Sequence, residues 1–229
     1  MRRAVVWIMI GLLALLAAGG ALMAVEPKAQ AIALHVAHRV VRKVQNLIDP
    51  PQSLAAVRYR LFDKATAAVI GPPGVPDEAS GIVVFIDYNC IFCRRQFQVF
   101  EAMAAEGRPP RVILRHLPHS VDSIALAQAL LAARQQGGAE ALHRVMAAAD
   151  QPLGPGDLPD LARAAGLDPE RLRADAASPE IEALLDGDVK LAWSLRIEST
   201  PTMVVGTELR RGVQSGDALA ALTAAAAGR

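Results

Sequence analysis

Apolar and polar positions fall into blocks along this chain, and the blocks divide it into strands and helices. Gly81-Ile-Val-Val-Phe-Ile86 is apolar throughout, the pattern of a strand buried on both faces of a sheet, and a strand is predicted over Gly81–Tyr88. A helical pattern follows from about Ile91 to Ala105, and Gly107-Arg-Pro-Pro110 breaks it. Arg111-Val-Ile-Leu-Arg-His-Leu117 predicts the next strand. From Pro118 to about Arg196, helix succeeds helix: Ser120 to Gln136, stopped by Gly137-Gly138, then Ala139–Ala149, Leu158–Ala165, Pro169–Ala176 and Pro179–Leu195. Strand signals return at Thr202–Val205. A turn and a short strand lie within Gly206–Gly212, and Ser215–Ala227 is the last helix. The order βαβ, helical block, β-hairpin, helix predicts a mixed α/β sheet with a helical insertion.

Upstream the pattern changes. Met1-Arg-Arg3 precedes the uncharged apolar run Ala4–Val25, which is long enough to cross a bilayer as a helix. The arginines would stay cytoplasmic and place the rest outside. A cleaved signal peptide is the other reading, since Gly19 and Ala21 stand at the small −3/−1 spacing. The length of the run and the lack of a sharp A-x-A site favour an uncleaved anchor. Glu26–Asp49 reads as a stalk helix, with Ile32, Val36, Val40 and Val44 every four residues and Arg39, Arg42 and Lys43 on other faces. Its basic side either lies against anionic headgroups or is solvated. Asp49-Pro-Pro51 ends it. A second helix, about Ser53–Val69, is expected to stop at Gly71-Pro-Pro-Gly-Val-Pro76, a linker. The domains are therefore read as 1–25, signal or anchor; 26–76, helical stalk and linker; and 77–229, a catalytic domain with its helical insertion at about 119–196.

Composition narrows this picture. The net charge of +1 gives no reason to expect a nucleic-acid partner, and the 4% aromatic content in an alanine-rich chain suits helices better than a β-sandwich. The 2 cysteines, Cys90 and Cys93, both lie where the first strand delivers the chain to a helix. Unpaired N–H groups and the partial positive charge of a helix N-terminus favour a thiolate. A spacing of three sets Cys93 about one turn on, so the sulfurs can meet. A zinc ribbon would need a second cysteine pair, and the chain has none. A redox pair and two buried, inert cysteines remain as readings. An exported CxxC would meet an oxidising compartment.

Three stretches make the chain resemble the DsbA-like branch of thioredoxin-fold oxidoreductases. They are Phe85-Ile-Asp-Tyr-Asn-Cys-Ile-Phe-Cys-Arg-Arg95, Arg111-Val-Ile-Leu-Arg-His-Leu-Pro118 and Ser199-Thr-Pro-Thr-Met-Val-Val-Gly206. The resemblance covers Gly81 to the C-terminus. It implies a thioredoxin-like mixed sheet with a helical insertion, preceded here by the membrane or signal helix and the stalk. It implies that Cys90 is the exposed sulfur that forms mixed disulfides, that Cys93 is the buried partner that resolves them, and that Pro201, with Thr200 beside it, is cis and faces the cysteines. The implied function is extracytoplasmic thiol–disulfide exchange with protein thiols or disulfides. It calls for no cofactor beyond the cysteine pair and no metal, and for a recycling partner in or at the membrane. Direction stays open. The alternative is a non-catalytic thioredoxin-fold peptide-binding module or chaperone with a passive disulfide.

The chain departs from the family pattern around the cysteines. Ile91 stands where proline is usual, and Phe92 where some relatives have a histidine that stabilises the thiolate, so the helix N-terminus is expected to act almost alone. Val84 stands where relatives tend to carry a buried acid. Asp87 points to the other face from Val84 and reads as a helix-entry or turn residue. Arg94 and Arg95 either lower thiol pKa by their charge or are solvated. His116 and His119 read as surface residues without a third ligand, and His143, Met146 and Trp193 as core or surface of the helical block. Met103 and Met203 read as ordinary core near the site.

Overall fold

The computed structural model describes residues 50–71 and 81–228. The expected signal or anchor segment, the first stalk helix and most of the proline-rich linker lie outside the described residues.

Helix α1 spans Leu54–Leu61, capped by the Ser53 hydroxyl, which accepts from the Ala56 N–H at 3.2 Å. It stops short of the predicted end near Val69. Asp63 is the reason: its carboxylate accepts from the Ala65 N–H at 2.9 Å and from the Thr66 hydroxyl at 3.1 Å, a local turn that competes with the helical ladder. The chain then enters strand β1, Ala68–Ile70, instead of continuing as helix. The compact unit thus begins at Gln52, earlier than the boundary read near residue 76. Its first residue is tied down, with the Gln52 N–H donating to the Ser194 carbonyl at 2.8 Å.

Strand β2, Ile82–Ile86, is buried at every position and is the centre of the sheet. Strand β3, Val112–His116, lies parallel to it on one side. Strand β4, Thr202–Val205, lies antiparallel on the other, with Val84 opposite Met203 and Phe85 opposite Thr202. Strand β5, Glu208–Arg211, and β1 complete a five-stranded sheet of order β1-β3-β2-β4-β5. Helix α2, Ile91–Ala105, follows β2 directly. The insertion supplies α3 (Val121–Ala133), α4 (Ala139–Ala147), α5 (Leu158–Ala164), α6 (Pro169–Ala176) and α7 (Pro179–Ser194). Helix α8, Gly216–Ala227, closes the fold behind its Ser215 cap.

The alternation of β2 sends its side chains into two cores. Val84 packs with Phe97, Leu126 and Leu130 on one face, and Val83 and Phe85 pack with Val57, Leu191 and Ile197 on the other. A charged pair is buried beside the second core. Arg115 pairs with Asp188 of α7 at 3.0 Å, both almost fully buried, and its guanidinium also donates to the carbonyls of Leu61 and Asp63 and to the Thr66 hydroxyl. His116 is buried too, contrary to the surface position read from the sequence. Its backbone N–H and its Nδ1 both meet Asp188 Oδ2, at 2.9 and 3.0 Å. Met103 and Met203 are core residues.

Candidate active site

The turn between β2 and α2 is held from both sides before any sulfur chemistry begins. Asp87 Oδ1 accepts from the Asn89 N–H at 2.9 Å, and its Oδ2 accepts from the His119 N–H at 2.9 Å. This is the turn role the sequence suggests. The Asn89 side chain exchanges two hydrogen bonds with the Leu153 backbone, at 2.9 and 2.8 Å. The loop carrying the cysteines is therefore fixed to the start and the middle of the helical insertion.

Cys90 is the N-cap of α2, in extended conformation and with no side-chain cap bond. Its sulfur is half-buried, whereas Cys93 one turn on is 0% exposed. The two sulfurs are unbridged in the structure, so the contacts below are those of the dithiol. The Cys90 thiol is lowered to about 5, first by a hydrogen bond from the Cys93 thiol, with smaller help from Thr200 and from the backbone N–H groups of Cys93 and Phe92; partial burial opposes the shift. The Cys93 thiol moves the opposite way, far above the ordinary thiol range, first because it gives that hydrogen bond to Cys90 and then because it is buried. The Asp87 N–H donates to Cys93 Sγ at 3.5 Å. The expectation that the helix N-terminus acts almost alone is thus corrected: the partner thiol contributes most. Phe92 does contribute, through its backbone rather than its ring.

The Thr200–Pro201 peptide bond is cis. The Cys90 thiol donates to the Thr200 carbonyl at 3.4 Å. Thr200 therefore acts in two senses: its carbonyl favours the thiol and its side chain favours the thiolate. The carbonyl contact loses its donor on ionisation, so the sign of the shift rests on Cys93 and the backbone N–H groups. Pro201 is buried behind this contact, and its carbonyl accepts from the Gly212 N–H at 2.8 Å. The Gln214 N–H donates to Gln96 Oε1 at 2.7 Å, tying that loop to α2. Cys90, Cys93, Thr200 and Pro201, far apart in the chain, are brought to one place.

Other candidates go elsewhere. Arg94 donates to the Gln151 carbonyl at 3.0 Å, and Arg95 lies 5.6 Å from the Phe92 ring centroid. Trp193 is exposed, and Met146 is core. His143 has a partner that sequence reasoning missed. The Tyr88 hydroxyl lies 2.8 Å from His143 Nδ1, and the Phe97 ring stands edge-on to His143 with centroids 4.7 Å apart. Burial, followed by the charges of His116 and Arg144, lowers His143 to about 3. Burial and then Cys93 raise Tyr88.

Two pH dependences follow. Alkylation of Cys90 by iodoacetamide should titrate near pH 5, well below the usual value of about 8.5. A midpoint above pH 8 would show that the thiol is not activated. For stability, both groups have folded-state values below their unfolded ones. Cys90 contributes stability to the dithiol form that grows from pH 5 towards 9, and His143 contributes stability that is lost as pH falls from 6.5 towards 3.

A central β2 with β3 parallel and β4 antiparallel, and reactive groups at the N-terminus of the following helix, defines the thioredoxin class of fold. Comparison with known proteins places the chain within that class. Residues 111–224 match the family described as DSBA-like thioredoxin domain. A thioredoxin-like oxidoreductase from Silicibacter pomeroyi DSS-3 is 31% identical, with a TM-score of 0.67 over 75% of this chain and 98% of that one. A periplasmic thioredoxin-like protein from Salmonella enterica serovar Typhimurium shares the fold at 22% identity, with a TM-score of 0.66 over 78% of this chain and 99% of that one. The Na(+)/H(+) antiporter NhaA 3 of Salinispora tropica is 29% identical over 151 residues, which are 64% of this chain and 23% of the antiporter. The chain spans about a quarter of the length of the curated relatives it matches. It belongs to the family of DsbA-like thioredoxin-domain proteins.

Proposed function

We propose that this chain exchanges disulfides with protein thiols outside the cytoplasm, with Cys90 as the exchanging sulfur and Cys93 as its buried partner. The observation that carries the reading is the asymmetry of the pair. One thiol is reachable and ionised near pH 5; the other is fully buried and holds its proton. The thiolate is the nucleophile and the better leaving group, so exchange is directed to Cys90.

In the oxidising direction a substrate thiolate attacks Cys90 Sγ of the disulfide. A new S–S bond forms to Cys90, the Cys90–Cys93 bond breaks, and Cys93 leaves with the electron pair and takes up a proton. A second substrate thiolate then attacks the substrate sulfur of the mixed disulfide, and Cys90 departs as a thiolate. The substrate is oxidised and the pair reduced by two electrons. Run backwards, the same steps reduce or isomerise. The cysteine pair supplies the chemistry, and a redox partner resets it. Thr200 and Pro201 form the wall against which a substrate chain would lie.

The location rests on the apolar run 4–25 and on the likeness to the Salmonella periplasmic protein. We assign 4–25 as an inner-membrane anchor, with the recycling partner in or at that membrane. Among the described residues no helix is long and apolar enough to cross a membrane. The test is equilibration of the full chain with glutathione couples, followed by oxidation of a reduced two-cysteine peptide. Reversible two-electron exchange and peptide turnover support the reading. A pair that fails to exchange with glutathione would instead be the passive disulfide of a binding module.

A further inference from the structure

We propose that Asp87 is a positioning residue for the buried sulfur: its clamped carboxylate aims its own peptide N–H at Cys93 Sγ. There the N–H stabilises the negative charge that Cys93 carries as it leaves the disulfide or attacks a mixed disulfide. This rests on the exchange reading above.

Asp87 is the first residue beyond β2, and its backbone meets both cysteines. Its N–H donates to Cys93 Sγ at 3.5 Å, and its carbonyl accepts from the Cys90 N–H at 3.1 Å. The end of the sheet makes these groups available. Continuing the register in which Phe85 faces Thr202 would set Asp87 opposite Thr200, and the β2–β4 ladder stops before that pair. The Asp87 N–H goes instead to Cys93, and the Thr200 carbonyl takes the Cys90 thiol at 3.4 Å. Each sulfur thus meets a backbone group just past the end of the ladder, a donor for Cys93 and an acceptor for Cys90.

The side chain of Asp87 sets the direction of that N–H. It is 5% exposed, and both of its oxygens are filled. Oδ1 accepts from the Asn89 N–H at 2.9 Å, and Oδ2 accepts from the His119 N–H at 2.9 Å and meets His119 Nδ1 at 3.3 Å. A buried carboxylate whose acceptors are satisfied on two different segments holds its residue in one orientation. Around Cys93 a charge has little else to meet, since Val84 of β2 and Met203 of β4 share its core. The bond to Cys90 and burial raise the Cys93 thiol, while the Asp87 N–H lowers it. When a substrate thiolate breaks the Cys90–Cys93 bond, the electron pair goes to Cys93 Sγ. The contact then becomes a charge-assisted N–H···S⁻ bond, stronger than one to a neutral thiol. No proton passes through Asp87; Cys93 takes one from solvent afterwards. In resolution Cys93 first loses its proton to solvent, its thiolate attacks Cys90 Sγ under the same N–H, and the substrate thiolate leaves.

Asp87→Ala removes the clamp and leaves the N–H, and two measurements on the full chain read its effect. The first is stopped-flow release of glutathione from a Cys90 mixed disulfide by Cys93 at pH 7. Loss of one hydrogen bond to a charged sulfur lowers its ionisation about tenfold. The more basic thiolate attacks faster, with a Brønsted slope of about 0.4–0.5, so release should slow about threefold. The sign is diagnostic, because removing a carboxylate charge alone favours the thiolate and would speed release. The second measurement is the amide-proton shift of residue 87. Cys93→Ala should move it upfield in the Asp87 chain and barely in Asp87→Ala, where the N–H no longer meets the sulfur. A role confined to holding the turn together would slow release and leave that response intact. Asp87→Asn keeps an acceptor for the Asn89 N–H and should show both effects at smaller size, so the test stands even where Asp87→Ala does not fold. Release at the wild-type rate or faster in a folded variant, or an undiminished amide response, would overturn the proposal. Failure of the wild-type chain to release glutathione would instead count against the exchange reading, and the amide response would still decide the role of Asp87.

Discussion

Cys90→Ser abolishes disulfide exchange, and Cys93→Ser accumulates mixed disulfides with substrate: that is the expected result, and the two variants should differ in kind. Cys90 is half-exposed, sits on the N-cap of α2 and ionises near pH 5, so it is the sulfur a substrate can reach. A serine hydroxyl there is not ionised at neutral pH and forms no disulfide. Cys93 is 0% exposed and cannot take over. Replacing Cys93 leaves Cys90 able to join a substrate by exchange with a mixed disulfide, but removes the thiol held one turn away. Intramolecular groups in good geometry act at effective concentrations of about 10⁵ M or more. External thiols at millimolar levels are far weaker competitors, so release should slow by at least about a thousandfold. Non-reducing electrophoresis of protein treated with a cysteine-containing peptide reads both outcomes. A fully active Cys93→Ser dithiol oxidase would invert the assigned roles.

The parts of the site that were legible in the sequence are those written locally. An apolar strand, a CxxC and a helix of ordinary length are adjacent, and β2 and α2 follow those marks closely. Caps and stops did the same for the insertion: Ser120, Asp168 and Ser178 each accept a first-turn N–H, and Gly137 takes the left-handed conformation at φ 71° that ends the α3 segment. Strand β1 was not legible. It is three residues long, too short for alternation to register, and its pairing with β3 joins Ile70 to Val112 across a long separation. Buried titratable pairs were hidden for the same reason, because each partner lies more than fifty residues from the other. One signal was available. Asp188 falls on the apolar stripe of Ile181, Leu185 and Ala192, and His143 on the stripe of Ala139 and Met146. A titratable residue on the core face of a helix announces a buried hydrogen bond, since burial without one is costly. The stripe does not say which residue answers it.

Asp188→Asn is expected to destabilise the fold by about 3–5 kcal/mol, the usual cost of breaking a buried ion pair by removing one charge. Both members are almost fully buried, with side-chain exposures of 3% for Arg115 and 1% for Asp188. Asparagine is the same size, so the loss would not be one of packing. Asp188 Oδ1 accepts from Arg115, and Oδ2 accepts from the His116 N–H and meets His116 Nδ1. Whichever way the amide turns, its NH₂ faces a donor that previously had an acceptor. Arg115 keeps the carbonyls of Leu61 and Asp63 as partners, which places the effect towards the lower end of the range. That clamp also holds the segment between α1 and β1, so local opening should begin there. Urea unfolding of the oxidised protein reads the free energy, and hydrogen exchange of Ala68–Ile70 reads the opening. Disulfide exchange by the folded fraction should be unchanged, because Asp188 touches none of Cys90, Cys93, Thr200 or Pro201. A loss below about 1 kcal/mol would mean that the Arg115–Asp188 pair contributes no more than an exposed salt bridge.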